Sequence, residues 1–210
     1  MMAGLIRNGD LEEARLVFQL MPDKNTVSWN TMIAGYAKNC RMEEAKALFD
    51  EMRGRNFVTW TSMITDYFRM GNVEEAYCLF QRMPERNIVS WTTMIGGFTW
   101  NGFYKKALLL FLEMRGDFDV KPTGETFISF AYACAGVAFH SLGMQLHAQL
   151  VINSWDYDDY DGRLSRSLTH MYSIFGMMDF AHYVFMNNPD IYSYNSMING
   201  YVCIAQLEKA

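Results

Sequence analysis

The sequence contains few of the residues that break helices or cross-link small domains. Only four of its 210 residues are proline, which leaves long stretches free to form helices. No run of 18 apolar residues occurs, so a transmembrane helix and a membrane partner are not expected. The cysteines are also few and far apart, at Cys40, Cys78, Cys134 and Cys203. This number and spacing exclude both a disulfide scaffold and a zinc cage.

Positive charge is scarce in the second part of the chain. The net charge is −5, and residues 1–121 hold 15 basic and 15 acidic side chains. Residues 122–210 hold 3 basic and 8 acidic side chains, so all the excess negative charge lies there. This balance argues against a uniformly basic nucleic-acid-binding domain, and a polyanionic partner should prefer the first part. A disordered chain is excluded because half of the residues are hydrophobic.

Catalytic and metal-binding motifs are missing as well. There is no nucleophile elbow, phosphate-binding loop or dinucleotide fingerprint, and no His-x-Glu followed by Pro-Cys-x-x-Cys, the signature of cytidine deaminases. The acidic segment 156–162 fails as a calcium loop, because the twelfth position would be Leu168 instead of Glu. The histidines have no cysteines at ligand spacing. We therefore expect no enzymatic activity, metal, cofactor or small-molecule substrate, and an acidic loop at 156–162.

The sequence does contain a repeat of 31 residues. Segments 26–56 and 57–87 align without gaps and share Trp29/Trp60, Met32/Met63, Tyr36/Tyr67, Ala45/Ala76, Phe49/Phe80 and Asn56/Asn87. The pattern predicts a further repeat at 88–123, repeats at 124–161 and 162–190, and partial repeats at 1–25 and 191–210. Because both ends cut through a repeat, we expect the chain to be a piece of a longer protein.

Each copy carries two apolar stripes with helical spacing. In the first full copy these are Trp29, Met32, Ile33 and Tyr36, then Met42, Ala45, Phe49 and Met52. One hairpin cannot bury both stripes, whereas stacking it on its neighbours does. The sequence therefore predicts an all-α fold, an α-solenoid of stacked helix-turn-helix repeats. Gly71 and Gly102 fall at the turns, where a left-handed residue is needed. The Glu pairs at the start of each second helix suit its N-terminal dipole better than a catalytic role.

The repeats resemble pentatricopeptide repeats. Residues 28–36 read Ser-Trp-Asn-Thr-Met-Ile-Ala-Gly-Tyr and residues 83–87 read Met-Pro-Glu-Arg-Asn, which are similar to the short repeat type of the plant PLS subclass. Residues 120–123 resemble the end of a standard-length repeat, and residues 125–148 resemble the long type. The tetratricopeptide opening Trp-x2-Leu-Gly-x2-Tyr is absent. The resemblance implies a right-handed superhelix of these hairpins.

The resemblance also implies single-stranded RNA as the partner, with one nucleotide read by two side chains of each repeat. The first specificity position corresponds to Asn30, Thr61, Thr92 and Asn195. The second corresponds to Asn56, Asn87 and Thr123. Apolar side chains two places into the repeats would sandwich the bases: Val27, Val58 and Val89. By the family's pairing rules, Asn30/Asn56 should favour a pyrimidine and Thr61/Asn87 should favour adenine.

Other repeats depart from this pattern. Thr92/Thr123 is an unusual pair, Ile128 cannot hydrogen-bond a base edge through its side chain, and Arg166/Asp190 is atypical. We therefore expect sequence readout from only two or three repeats. The alternative for the Asn and Thr residues is an ordinary polar role in the first turn of a helix.

The resemblance implies organellar RNA processing, and the alternation of repeat lengths favours recognition of a C-to-U editing site. A deaminase would then act from a downstream domain or in trans, with editing helper proteins as further partners. Mitochondrial localisation is expected, with the chloroplast as the alternative. The alternative functions are organelle RNA splicing or stability, and a protein–protein interaction scaffold.

Overall fold

The computed structural model describes residues 2–116, 120–152 and 162–207, and within these ranges all regular structure is helical. The predicted all-α class is confirmed. Residues 117–119 and the acidic residues 156–161, which were predicted to form a loop, lie outside the described ranges. The helices are α1 (Met2–Asn8), α2 (Leu11–Leu20), α3 (Thr26–Lys38), α4 (Met42–Glu51), α5 (Phe57–Arg69), α6 (Val73–Arg82), α7 (Ile88–Trp100), α8 (Tyr104–Gly116), α9 (Gly124–Gly136), α10 (His140–Ile152), α11 (Arg163–Ile174), α12 (Met178–Asn187) and α13 (Ile191–Leu207).

The chain divides into two compact units, Met1–Gly97 and Phe98–Ala210, with the boundary inside α7. In the first unit, α1/α2, α3/α4 and α5/α6 form antiparallel hairpins. Their first helices pack side by side, α1 on α3 and α3 on α5. In the second unit, α9 packs on α8, α10 and α11, and α11 packs on α12 and α13. Within each unit, stacked hairpins form the predicted α-solenoid architecture.

The core of each repeat is built from the two apolar stripes. Met32, Ile33 and Tyr36 of α3 are at most 2% exposed, and Phe49 of α4 is completely buried. Burying one such side chain contributes about 1.5–3 kcal/mol, and the stripes of a hairpin are covered partly by the adjacent hairpins.

An edge-to-face aromatic pair recurs at the junction between successive repeats. The ring centroids lie 4.9 Å apart in Phe18/Trp29 and Phe49/Trp60, and 5.0 Å apart in Phe80/Trp91, with interplanar angles of 81°, 83° and 73°. Such pairs add about 0.5–1.5 kcal/mol beyond area burial. Each pair packs the start of the first helix of one repeat against the second helix of the preceding repeat.

The turn between the two helices of a hairpin uses a left-handed residue, as the sequence predicted for Gly71 and Gly102. Their φ angles are 76° and 78°, and Gly9 has a φ of 87°. In the repeat at 26–56 the equivalent residue is Cys40, with a φ of 60°. A side chain at this φ costs about 1–2 kcal/mol, so Cys40 is a strained member of the series.

The Glu pairs lie where the dipole argument places them. Glu12/Glu13, Glu43/Glu44 and Glu74/Glu75 occupy the first turns of α2, α4 and α6. Arg41 adds a link between two repeats, because its guanidinium lies 2.7 Å from Glu12 and 2.7 Å from Glu44. The pKa of Glu44 is lowered, mainly by the hydrogen bond that Arg41 donates to its carboxylate.

Candidate nucleic-acid interface

The predicted base-contacting residues of the first unit lie on the first turns of α3, α5 and α7. Val27, Val58 and Val89 are 71%, 59% and 55% exposed, although valine is an apolar side chain. Asn30, Thr61 and Thr92 follow three residues later in the same helices and are partly exposed. Residues three apart share one face of a helix, so each valine lies beside a polar residue of the same repeat.

The last residue of each repeat caps the first helix of the next one. Asn56 Oδ1 accepts a hydrogen bond of 2.9 Å from the backbone N–H of Thr59, and Asn87 Oδ1 accepts one of 3.0 Å from that of Ser90. Asn25 caps α3 in the same way. Because the amide oxygen is used by the cap, the amide nitrogen is the group with which Asn56 or Asn87 can contact a ligand.

The two predicted specificity residues of the repeat at 26–56 meet at one hydroxyl group. Thr59 Oγ1 lies 2.8 Å from Asn30 Oδ1 and 2.9 Å from Asn56 Oδ1. Thr59 belongs to the following repeat and is 1% exposed. The side chains of Asn30 and Asn56, 26 positions apart in the sequence, are thus one hydroxyl group apart in the fold.

In the next repeat, the hydroxyl group of Thr61 is occupied by its own helix. Thr61 Oγ1 donates to the carbonyl oxygen of Phe57 at 2.8 Å, and the carbonyl oxygen of Val58 lies 3.3 Å away. With its proton used in this way, the Thr61 oxygen retains acceptor capacity only. Adenine presents an amino donor beside a ring-nitrogen acceptor, which matches an accepting Thr61 and a donating Asn87 amide.

The arginine that precedes each capping Asn, Arg55 or Arg86, binds the end of the preceding helix, and the sequence analysis did not predict this contact, which we call the cationic clamp. Arg55 Nε and Nη2 donate hydrogen bonds of 2.7 Å to the carbonyls of Phe49 and Asp50 at the end of α4. The guanidinium also lies over the rings of Phe49 at 4.8 Å and Trp60 at 5.8 Å. Arg86 repeats this arrangement over Phe80 at 4.6 Å. The matching Arg-Asn pairs in the two repeats were the available signal.

In the second unit, the residues at the corresponding positions bind one another. Arg166 forms an ion pair with Asp190, and its guanidinium lies 4.6 Å from the centre of the Tyr192 ring. Arg163 forms a two-point ion pair with Glu125, with 2.8 Å between Nη2 and Oε2. These ion pairs occupy the groups that would otherwise be available to an RNA backbone or base.

The other predicted residues of the second unit are accessible but differently arranged. Thr123 caps α9, with its hydroxyl 3.0 Å from that of Thr126 and its backbone N–H donating to the same Thr126 oxygen at 3.1 Å. Asn195 is exposed on α13. Ile128 lines a cleft of about 710 Å³ together with Tyr132 and His170. Burial raises the pKa of Tyr132 and lowers that of His170, so both are neutral at pH 7.

Thr92 and Thr123 were predicted to act as one pair, and they fall in different compact units.

Asp66 is a further polar group of α5 that the sequence reading did not single out. Its side chain is 10% exposed and lies 3.1 Å from Arg69. Burial raises the pKa of Asp66, and the hydrogen bond from Arg69 opposes that shift.

Two searches of the described ranges gave negative results. No helix there is long and apolar enough to cross a membrane. No cluster of three or more His, Cys, Asp and Glu side chains arranged to hold a metal ion was found in those ranges.

Comparison with known proteins identifies the repeat. A sequence model described as "PPR repeat" matches residues 1–26, 27–57, 58–88, 89–117 and 192–210. The frame of this model is offset by one residue from the repeat frame used above.

Among curated proteins, a pentatricopeptide repeat-containing protein of Arabidopsis thaliana is 35% identical over 102 residues, which cover 48% of this chain and 12% of the relative. A second, named as chloroplastic/mitochondrial, is 37% identical over 103 residues, covering 48% of this chain and 16% of the relative. A third, named as chloroplastic, is 32% identical over 83 residues, covering 39% of this chain and 8% of the relative. The chain therefore spans only a small part of the length of these relatives.

Solved structures of one pentatricopeptide repeat protein share the fold. The maize protein PPR10 superposes with a TM-score of 0.66 at 19% identity, covering 93% of this chain and 30% of PPR10. PPR10 in complex with an 18-nt psaJ RNA element superposes with a TM-score of 0.72 at 16% identity, covering 100% of this chain and 32% of PPR10.

Proposed function

This chain belongs to the pentatricopeptide repeat family, and from that premise we propose that it binds single-stranded RNA through the exposed first turns of α3 and α5. The observation that carries the proposal is the meeting of Asn30 and Asn56 at the hydroxyl group of Thr59. Two polar side chains held side by side at a partly exposed edge can grip the Watson–Crick edge of one base. The PPR10–RNA complex supports RNA as the class of ligand.

The exposed valines supply the second component of this binding mode. Val27 and Val58 are among the exposed large apolar residues of the first unit, and each lies one turn from a specificity residue. A base lying between two such side chains removes apolar surface from water on both of its faces. For comparison, stacking of a base on an aromatic side chain contributes about 1–3 kcal/mol.

We further propose that the repeats at 26–56 and 57–87 read a pyrimidine and an adenine at adjacent nucleotides. The assignment follows the family's pairing rules, and the hydrogen-bonding groups are compatible with it: Asn56 and Asn87 can donate, and Thr61 can accept. The repeat at 162–190 lies outside this readout, because Arg166 and Asp190 neutralise each other.

For the whole protein, we propose organellar RNA processing in a plant, and recognition of a C-to-U editing site as the specific role. The alternation of short and long repeats, which is typical of the PLS subclass, favours editing over splicing or RNA stability. The proposed localisation is the mitochondrion or the chloroplast, and curated relatives carry both of these compartments in their names. A deaminase domain in the same protein or in trans would supply the chemistry.

The experiment that tests RNA binding is a titration of the chain with single-stranded RNAs that differ at the proposed adenine. Replacing that adenine by guanine, cytosine or uracil should weaken binding by about tenfold, the usual cost of one lost polar recognition contact. Affinity should also fall steeply as the salt concentration rises, because phosphate contacts release counterions. Equal affinity for all four RNAs would contradict base reading by Thr61 and Asn87.

A protein-interaction scaffold is the second candidate function. It is favoured by the closed ion pairs Glu125–Arg163 and Arg166–Asp190, and by the excess negative charge of residues 122–210. It predicts that the chain binds a helper protein and shows no affinity for RNA even at low salt. The salt titration above therefore separates the two functions.

A further inference from the structure

Thr59 is a buried polar residue whose hydroxyl has more neighbours than it has protons. It is 1% exposed, and its Oγ1 lies 2.8 Å from Asn30 Oδ1 and 2.9 Å from Asn56 Oδ1. Both distances are those of hydrogen bonds, whereas a threonine hydroxyl carries a single proton. The two contacts therefore cannot both be donated by Thr59, and one of the two Asn amides has to donate.

The cap decides which amide donates. Asn56 Oδ1 accepts from the backbone N–H of Thr59 at 2.9 Å, so its oxygen is fixed on the Thr59 side. The Thr59 hydroxyl must then donate to this same oxygen. The two ends of an Asn amide have the same shape, and the hydrogen-bond network determines which end faces a partner. In the structure Asn30 Oδ1 faces Thr59. Since no proton of Thr59 remains for that oxygen, the Asn30 amide has to be turned end for end, so that its nitrogen donates to Oγ1.

We propose that Thr59 is a positioning residue for base recognition by the repeat at 26–56. Through this chain of hydrogen bonds, it holds the Asn30 carbonyl oxygen and the Asn56 amide nitrogen outward together. The repeat thus presents one acceptor and one donor to the base. The inference deepens the proposed RNA-binding function and rests on it.

One acceptor beside one donor fits the Watson–Crick edge of a pyrimidine. Adenine has the same pair of groups, and the family's pairing rules for two Asn residues select the pyrimidine. Cytosine offers its amino donor beside the N3 acceptor, and uracil offers its N3–H donor between two carbonyl acceptors. Without the Thr59 hydroxyl, the Asn30 amide is free to present either end, and the donor–acceptor pattern loses its definition. Asn56 keeps its orientation, because the backbone N–H of Thr59 still holds its oxygen.

The next repeat provides a matched control at Ser90, which is the equivalent of Thr59. Ser90 Oγ donates to the backbone carbonyl of Asn87 at 2.9 Å and accepts from the backbone N–H of Asn87 at 3.1 Å. Thr61, for its part, donates to its own helix. Ser90 therefore serves the cap and has no part in orienting the specificity residue of the preceding repeat.

The experiment compares the unmodified chain with Thr59→Val and Ser90→Ala. Valine preserves the shape of threonine and removes only the hydroxyl. Each protein is used to select from a pool of short single-stranded RNAs of randomised sequence, and the bound RNAs are sequenced. The adenine read by Thr61 and Asn87 sets the register, and the readout is the base preference at the neighbouring nucleotide. Thermal melting followed by circular dichroism confirms that each variant is folded.

For Thr59→Val we expect the pyrimidine preference beside the adenine to fall about three- to tenfold, the effect of one hydrogen bond, with the adenine preference unchanged. Ser90→Ala should leave both preferences unchanged. If Thr59 had a purely structural role, Thr59→Val would reduce the base preference at both nucleotides together. The inference is overturned if Thr59→Val retains the pyrimidine preference, or loses both preferences equally. If the unmodified chain selects no base at all, base reading itself is refuted, and the role of Thr59 falls with it.

Discussion

Trp60 meets Phe49 edge to face, with 4.9 Å between the ring centroids and an interplanar angle of 83°. The contact joins the end of α4 to the first turn of α5, and it places Thr61 directly after a fixed aromatic residue. Arg55 lies over both rings and binds the last carbonyls of α4. The side chains proposed to read a base are therefore supported by a rigid junction between two repeats.

This junction predicts a large effect of Phe49→Ala. Phe49 is completely buried, so truncation removes its apolar contacts and leaves a cavity beside Trp60. The free energy of unfolding should fall by about 3–5 kcal/mol, measured by urea denaturation. Lys46→Ala, at an exposed site of the same helix, should change it by less than about 0.5 kcal/mol. Equal losses for the two variants would show that the junction does not support the fold.

The left-handed turn predicts opposite effects for two substitutions. Cys40 has a φ of 60°, and Gly71 occupies the same turn position in the next repeat with a φ of 76°. Cys40→Gly should raise the free energy of unfolding by about 0.5–1 kcal/mol, because relief of the strain exceeds the added chain entropy. Gly71→Ala should lower it by a similar amount. Thermal melting reports both, and a destabilised Cys40→Gly variant would contradict the argument.

Asp66 predicts a pH-dependent effect on stability. Its pKa is raised in the folded state, mainly by burial, so the folded chain binds the Asp66 proton more tightly than the unfolded chain does. Its contribution to stability is therefore greatest below the unfolded pKa and is lost as the pH rises through the folded pKa. Asp66→Asn should be more stable than the unmodified chain at pH 7, and this advantage should shrink as the pH falls towards about 4.

The control for this prediction is Asp50→Asn, which removes one negative charge from an exposed site near Arg82. Denaturant unfolding of each variant at several pH values gives the comparison. An advantage of Asp66→Asn that grows on acidification has the wrong sign for a raised pKa and would refute the assignment to burial.

Asn56 allows capping and base recognition to be separated. Asn56→Asp keeps an oxygen for the N–H of Thr59, so the melting temperature should change little. It replaces the outward amide donor with an acceptor, which should favour uracil, with its N3–H, over cytosine. Asn56→Ala should lose about 1 kcal/mol of stability together with the base preference. Melting curves and RNA titrations measure the two effects, and an unchanged base preference in Asn56→Asp would exclude Asn56 from the site.

Several parts of the fold followed directly from the sequence. The apolar stripes at Met32, Ile33 and Tyr36 predicted a buried helix face, and the coordinates bury all three residues. Gly71 and Gly102 predicted left-handed turns, and both have a positive φ. These features are local, because helical periodicity and backbone conformation depend on residues within a few positions of each other.

Contacts between residues far apart in the sequence were not predictable in the same way. The ion pairs Glu125–Arg163 and Arg166–Asp190 join residues 38 and 24 positions apart, and the cationic clamp at Arg55 depends on where α4 ends. The sequence placed Arg166 and Asp190 at paired positions of one repeat, but it did not indicate that they would form an ion pair, or that Glu125 would meet Arg163. Their meeting depends on how far each helix is rotated about its axis against its neighbour.

The sequence by itself determined that this protein is a stack of helical hairpins, because a periodic apolar stripe has to be buried and a repeated stripe is buried by repetition. It also determined which residues stand at the starts and ends of the helices. Only the tertiary structure decided that Asn30 and Asn56 share the hydroxyl group of Thr59, while Arg166 and Asp190 neutralise each other. Periodicity fixes which face of a helix is buried, whereas the packing of one repeat on the next fixes which polar atoms come within hydrogen-bonding distance.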